Sequence, residues 1–367
     1  MMFEVGLFAI TWQQAVMIAI GLLLVYLGIA KEMEPLLLGP IGFAVILANL
    51  PLSGITGDSG LLYIVYKELI YPGIIPLIIF LGIGTMTDFS PLLANPKTFL
   101  LGAAAQVGIF LALGLSILIG FDLSAAASIG IIGGADGPTA IYAATQLVGE
   151  RPEIIAAVTV SAYSYMALVP IIQPPIIKAL TTEKQRKIKM GKMREVSKKE
   201  KIIFPIGVTI IVGLIVPSAL PLIGMLMLGN LFQTSGVMDR LSDTGGNALM
   251  DIATILLGLG VGFLMTGGTF IRLSTLKILL LGIFAFATAT AGGTLFGQLY
   301  YKLSDGEINP MIGAAGVSAV PMASRVVQKM GQEEDAESHL LMHAMGPNVA
   351  GVIGSATAAG ILIGLLA

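Results

Sequence analysis

A single carboxylate, Asp136, stands inside the apolar stretch IGIIGGADGPTAIY that runs from Ile129 to Tyr142. An ionisable group at that depth in a membrane-length run is costly unless it meets a polar cavity, a partner or an ion. Gly133, Gly134, Gly137 and Pro138 surround it and interrupt a helix rather than extend one, so two half-helices meeting at an unwound turn are expected. Unwound backbone survives at membrane depth only where it lines a cavity or is buried in protein. Carboxylate charge together with freed carbonyl oxygens is the chemistry of a cation site. The competing reading is a Gly/Pro kink in a packing helix, and the rarity of carboxylates at such depth favours the site.

A second interrupted stretch, NPMIGAAGVSAVPMASR, runs from Asn309 to Arg325. Asn309 and Ser318 offer neutral oxygen ligands, and Gly313 and Gly316 allow close backbone approach. Arg325 cannot ligate a cation and stays charged, so it either pairs with Asp136 or receives an anionic substrate such as a carboxylate through its planar fork. The plainer role for Arg325 is snorkelling from a helix end. Asn348, in GPNVAG, is a further amide that can ligate or bond between helices. Tyr163 and Tyr165, in AYSYMALVP, can pass or donate a proton, or anchor at the interface. His339 and His343 have the i, i+4 spacing of metal ligands, but they follow the acidic run QEEDAES, which reads as a solvated turn.

The elements that must position these groups are membrane helices. Of 367 residues 56% are hydrophobic and only 11% are charged, far below the quarter typical of soluble domains. Forty-six glycines and eighteen prolines fit close helix packing and broken helices. With no cysteine and two histidines, thiolate metal sites, disulfides and thiol nucleophiles are excluded, and a bound ion is a hard cation held by oxygen. The N-terminus lacks the basic region and cleavage pattern of a removable signal peptide, which leaves Trp12 near the interface. Apolar runs are expected over 15–30, 69–87, 98–120, 124–148 and 153–178, with a short broken run at 35–52.

Between Lys178 and Lys201 lie ten of the twenty basic residues against three acids, which predicts a cytoplasmic loop. No aromatic residue is interleaved, so nucleic acid is not the expected partner. Beyond the loop the order of features recurs. VILANLPLSG at Val45 is echoed by MLGNLFQTSG at Met227, LGIG at Leu81 by LGVG at Leu259, and IGGADGP at Ile132 by IGAAGVSAVP at Ile312. The expected fold is therefore an all-α polytopic membrane protein with two inverted-topology repeats, discontinuous helices and about 10–11 membrane segments. Its parts are an N-terminal segment at 1–34, a first repeat at 35–178, a basic cytoplasmic loop at 179–202 and a second repeat at 203–367. Interrupted segments at matching places in two halves point to a transporter's binding site.

GGADGPTAIY, AYSYMALVP, NPMIGAAGVSAVPMASR and GPNVAGVIGSA, in this order, resemble the membrane β-subunit of the sodium-pumping biotin-dependent decarboxylases, across essentially the whole chain. The resemblance implies a translocase of the bacterial cytoplasmic membrane. Such a subunit decarboxylates carboxybiotin, presented by a separate carrier rather than bound covalently here, and couples this to sodium export while a proton is consumed. It implies as partners a biotin carrier with a carboxyltransferase subunit and a small membrane subunit, and leaves a homo-oligomer open. Carried over to this chain, it assigns Asp136, Asn309, Gly313, Ser318 and Asn348 to sodium. Arg325 goes to carboxybiotin, and Arg325, Ser318 and one of Tyr163 and Tyr165 to the chemistry. An ordinary sodium/proton antiporter or sodium-coupled carboxylate symporter is the alternative that the residue pattern alone allows.

Overall fold

A computed structural model describes residues 5–149 and 151–367, and every regular element among them is helical. Met1 to Glu4 and Glu150, which belong to the N-terminus and the 149–152 turn, lie outside the described residues. The first half contains α1 (Trp12–Ala30), α2 (Pro35–Ala48), α3 (Leu61–Val65), α4 (Ile74–Met86) and α5 (Ser90–Ala94). It continues with α6 (Phe99–Ala105), α7 (Val107–Leu118), α8 (Leu123–Ile131), α9 (Gly137–Val148) and α10 (Pro152–Leu180). The second half contains α11 (Glu183–Arg186), α12 (Lys198–Ile215), α13 (Leu220–Ser235), α14 (Asp239–Gly246) and α15 (Ala248–Leu264). It ends with α16 (Gly267–Phe270), α17 (Leu273–Leu303), α18 (Met322–Glu334) and α19 (Leu341–Leu366).

Among the described residues five helices are long and apolar enough to cross a membrane, or up to seven if each of two bent pairs counts as one span. One pair bends by 65° where Pro72 and Gly73 separate the π-helical turn Tyr66–Ile70 from α4. The other bend, 67°, lies within α10. There Pro170 has no N–H for the Met166 carbonyl and its ring crowds that carbonyl. Two of these candidate crossings are thus assembled from shorter pieces, and α2 and the Leu123–Gly134 segment are shorter apolar helices. Capping boxes begin α1 (Thr11 with Gln14) and α12 (Ser197 with Glu200), each satisfying backbone donors that the first turn leaves open.

Around Asp136 the expectation of a crossing over 124–148 gives way to a hairpin. Asp122 caps α8, and Arg151, just past α9, donates to both its oxygens at 2.5 and 3.1 Å. The outer ends of α8 and α9 therefore lie together, and the chain reverses at the 3₁₀ turn Ile132–Gly134 and at Ala135. The second interrupted stretch does the same. Asn309 donates to the carbonyls of Arg186 and Ile188 at 3.1 and 3.0 Å. Arg186 in turn pairs with Glu334 at the far end of α18. The 29-residue α10 joins the base of one hairpin to that of the other, so they enter the bundle from opposite ends. Their tips meet where the Ser318 N–H donates to the Gly134 carbonyl at 2.9 Å.

The surrounding helices pack reciprocally. Helix α2 lies on α15 and α4 on α13, while α1 backs α2 and α12 backs α13. The two echoed asparagines mirror each other: Asn49, after α2, donates to the Met265 carbonyl beyond α15, and Asn230 of α13 donates to the Thr87 carbonyl beyond α4. The echoed glycines make the close contacts, Gly84 against the Leu226 carbonyl and Gly262 against Ala44. Small residues at such crossings let backbones touch where lipid offers no hydrophobic drive.

The acidic run after α18 is more than a solvated turn. Glu333 pairs with Lys178, Glu334 with Arg186, and Asp335 and Glu337 with Lys189. The basic loop is thereby tied to the helix that carries Arg325. Among the described residues no group of His, Cys, Asp and Glu is arranged to hold a metal, so the spacing of His339 and His343 carries no site.

Candidate functional site: the meeting of two hairpins

Asp136 caps α9. Its Oδ1 accepts the Thr139 N–H at 3.1 Å and its Oδ2 accepts the Ser355 hydroxyl at 2.9 Å. Ser318, at the tip of the second hairpin, donates its own hydroxyl to Ser355 Oγ at 2.9 Å. A chain of hydroxyls thus runs from one tip to the carboxylate of the other. Ala135 adopts the left-handed conformation (φ 55°), a turn that costs a non-glycine residue on the order of 1 kcal/mol and aims the next residue back into the bundle. The carboxylate is buried, and among the described residues no cationic side chain bonds to it.

Three of the expected sodium ligands lie elsewhere in this cluster. Asn348 spends both ends of its amide on the second hairpin: Nδ2 donates to the Ala315 and Val317 carbonyls at 3.0 and 2.6 Å, and Oδ1 accepts from Ser324 at 3.0 Å. Asn309 ties the base of that hairpin to the basic loop, and its Oδ1 accepts the Met311 N–H. Gly313 lies against the backbone of Gly293 on α17, a close approach that any side chain would prevent. Gln173 of α10 donates to the Ala314 carbonyl at 2.9 Å. Amide donors therefore occupy one lone pair on each of the Ala314, Ala315 and Val317 carbonyls that the unwound segment frees.

Arg325 lines a cavity of about 580 Å³ together with Glu34, Asp251, Thr87, Pro138 and Tyr163. Among the described residues no carboxylate comes within 4.0 Å of its guanidinium, so it does not pair with Asp136. Partial burial in the loop after α1 pushes the Glu34 carboxyl up, and Arg325 pulls it the other way. Apolar groups such as Leu37, Ile79, Met166 and Leu257 form much of the wall.

Tyr163 separates this cavity from the Asp136 turn. Its ring lies against Gly137 so closely that a Cβ there would overlap it, and its hydroxyl has no hydrogen-bond partner. Tyr165 points away and donates to the Leu279 carbonyl of α17. The sequence reading passed over Ser355, Glu34 and Gln173. Ser355 lies seven residues, two helical turns, after Asn348 on α19, and that spacing placed it on the face that already carried a candidate.

Comparison with known proteins bears on the same residues. A family model described as Na+-transporting oxaloacetate decarboxylase beta subunit matches residues 13–366. The chain is 55% identical to the glutaconyl-CoA decarboxylase subunit beta of Acidaminococcus fermentans, over 98% of this chain and 95% of that one. It is also 55% identical to the methylmalonyl-CoA decarboxylase subunit beta of Veillonella parvula, with the same coverage. To the oxaloacetate decarboxylase beta chain of Klebsiella pneumoniae it is 49% identical, over 98% and 96%. With its helices, paired hairpins and buried carboxylate, this chain belongs to the Na+-transporting oxaloacetate decarboxylase β-subunit family, multi-pass membrane subunits that couple decarboxylation to sodium transport.

Proposed function

We propose that the cavity at Arg325 takes the carboxylate of carboxybiotin, carried in by a separate biotin protein, and that the Asp136 turn takes the sodium ion moved by the same cycle. The observation that carries this reading is the shared wall: Pro138 and Tyr163 line the cavity, and both touch the turn that holds Asp136. The relatives are named for three different acids, which supports a step common to all of them and independent of the donor. Release of carbon dioxide from carboxybiotin is such a step. The partners are then the carrier with its carboxyltransferase and a small membrane subunit, in the bacterial inner membrane.

The guanidinium fork holds the carboxylate by paired N–H donors. As the N–C bond breaks, its electron pair stays on the ureido nitrogen, which takes the proton of the Tyr163 hydroxyl; the phenolate regains a proton from the cavity. The apolar wall around Leu37 and Ile79 disfavours the charged carboxylate and favours neutral carbon dioxide. Coupling requires that sodium and carboxybiotin prefer different conformations, since a ligand shifts an equilibrium only by its differential affinity. The reciprocal packing of α2 with α15 and α4 with α13 supports two inverted repeats flanking the loop at 179–202, and the α1–α2 and α12–α13 pairs extend the first repeat to include α1.

The test is the protein reconstituted in liposomes and supplied with free carboxybiotin. Carbon dioxide release should need sodium, radioactive sodium should be transported, and Asp136→Asn should abolish both. Equal release without sodium overturns the coupling. Sodium transport that ignores carboxybiotin would identify an ordinary antiporter or symporter instead.

A further inference from the structure

Gln106 sits at the junction of α6 and α7, buried, with its side chain against α19. Its Nε2 donates to the Gly102 carbonyl at 3.0 Å and to the Gly351 carbonyl at 3.4 Å. Two carbonyl acceptors on one side fix which end of the amide is nitrogen, so the oxygen faces the other way. That Oε1 has no hydrogen-bond partner. It is aimed at the face of Gly134, where the position a Cβ would occupy lies 3.6 Å from Gln106 Oε1 and 2.8 Å from Ser355 Cβ. Ser355 is the residue that bonds the Asp136 carboxylate.

A second oxygen stands at the carboxylate itself. Thr139 is fully buried, its N–H bonds Asp136 Oδ1, and its hydroxyl lies within reach of the same carboxylate, which leaves the lone pairs of Oγ1 open. A buried, unsatisfied polar group costs about 1–3 kcal/mol. A hydroxyl can rotate to find an acceptor, but an amide oxygen can only accept. A stranded amide oxygen near a buried carboxylate to which, among the described residues, no cationic side chain bonds is what a hard cation satisfies. The polar groups there are oxygens, with Ile109 Cδ1 as an apolar neighbour, and the charge amounts to one carboxylate, which matches a monovalent cation.

We propose that Gln106 Oε1 and Thr139 Oγ1 are the neutral ligands of an alkali-metal cation held at Asp136, in place of Asn309, Gly313 and Asn348. This rests on the reading of Asp136 as the sodium site and specifies its composition. Gly134 then acts as a window: a side chain there would stand between Gln106 and Ser355.

The test is thermal unfolding of the detergent-solubilised protein titrated with sodium chloride, with choline chloride as the ionic-strength control. A cation that binds the folded state stabilises it by RT ln(1 + c/Kd), where c is the sodium concentration, so the rise of Tm with sodium, fitted to that relation, reads the half-saturating concentration without any turnover. Gln106→Leu and Thr139→Val should each raise the half-saturating sodium concentration at least about tenfold, which corresponds to ~1.4 kcal/mol. Thr139→Ser, which keeps the oxygen, should stay within about twofold of the parent, and Gln106→Asn, whose oxygen is withdrawn by one methylene, should weaken binding even if Gln106→Leu does not fold. Parental half-saturation in Thr139→Val and in a folded Gln106 variant, with the sodium response lost in Asp136→Asn, would overturn this assignment alone. A parental response in Asp136→Asn itself would overturn the underlying sodium reading.

Discussion

Two tyrosines a single residue apart have opposite surroundings. Tyr163 presents an unpartnered hydroxyl at the wall between cavity and carboxylate, whereas Tyr165 is bound to the Leu279 carbonyl. Tyr163→Phe should therefore lower carboxybiotin turnover by about 10²- to 10⁴-fold, the usual worth of a positioned proton donor. Tyr165→Phe should keep turnover within a few-fold and cost about 1 kcal/mol of stability. Steady-state rates and Tm of both variants decide this, and equal kinetic losses would remove Tyr163 from the proton step. Residue type alone could not separate the two, because both phenols lie on one helix and the difference comes from what α9 and α17 place against them. The lone Asp136 between glycines was legible at once. Asn309 and Asn348 were legible as amides held at breaks in the chain, while the hydrogen bonds their nitrogens make to Ile188 and Val317 depend on how the unwound segment folds back.

At the scale of the hairpin, the clamp between Asp122 and Arg151 holds the outer ends of α8 and α9 together. Its hydrogen bonds from Arg151 keep the Asp122 carboxyl down at about 2. Because that lies below the ordinary carboxylate value near 3.9, the clamp's stabilisation is complete above about pH 4 and is lost as pH falls toward 2. The pair is largely exposed, so its worth is at most about 1 kcal/mol. Arg151→Gln should therefore speed amide exchange in α8 and α9 at pH 7 while leaving α13 and α15 unchanged. Hydrogen exchange by mass spectrometry reads this, and an unchanged hairpin would show that packing alone closes it. The reversal itself could not be read from sequence. Glycines and proline announce an interruption, but the choice between a kinked crossing and a return is made by Ala135 in a conformation that alanine does not advertise, and by a partner 29 residues away from Asp122.

For the whole molecule, two hairpins entering from opposite ends predict opposite accessibility. In this cysteine-free chain, cysteine at Ser197, beside the basic loop, should react with an impermeant maleimide only from the cytoplasmic side, and cysteine at Phe121, beside Asp122, only from the other. Labelling of both from one side in intact cells and inverted vesicles would refute the arrangement. The echoes at Asn49 and Asn230 were legible in the sequence, and the two residues make matching bonds, each to a carbonyl of the opposite half. The contact between Gly137 and the Tyr163 ring has a consequence for substitution. Any side chain gained at Gly137 collides with the ring, and the only relief is a smaller residue at Tyr163, which discards the phenol. The two positions are therefore bound together sterically: a side chain at Gly137 can be accommodated only by giving up the ring that stands at the cavity wall.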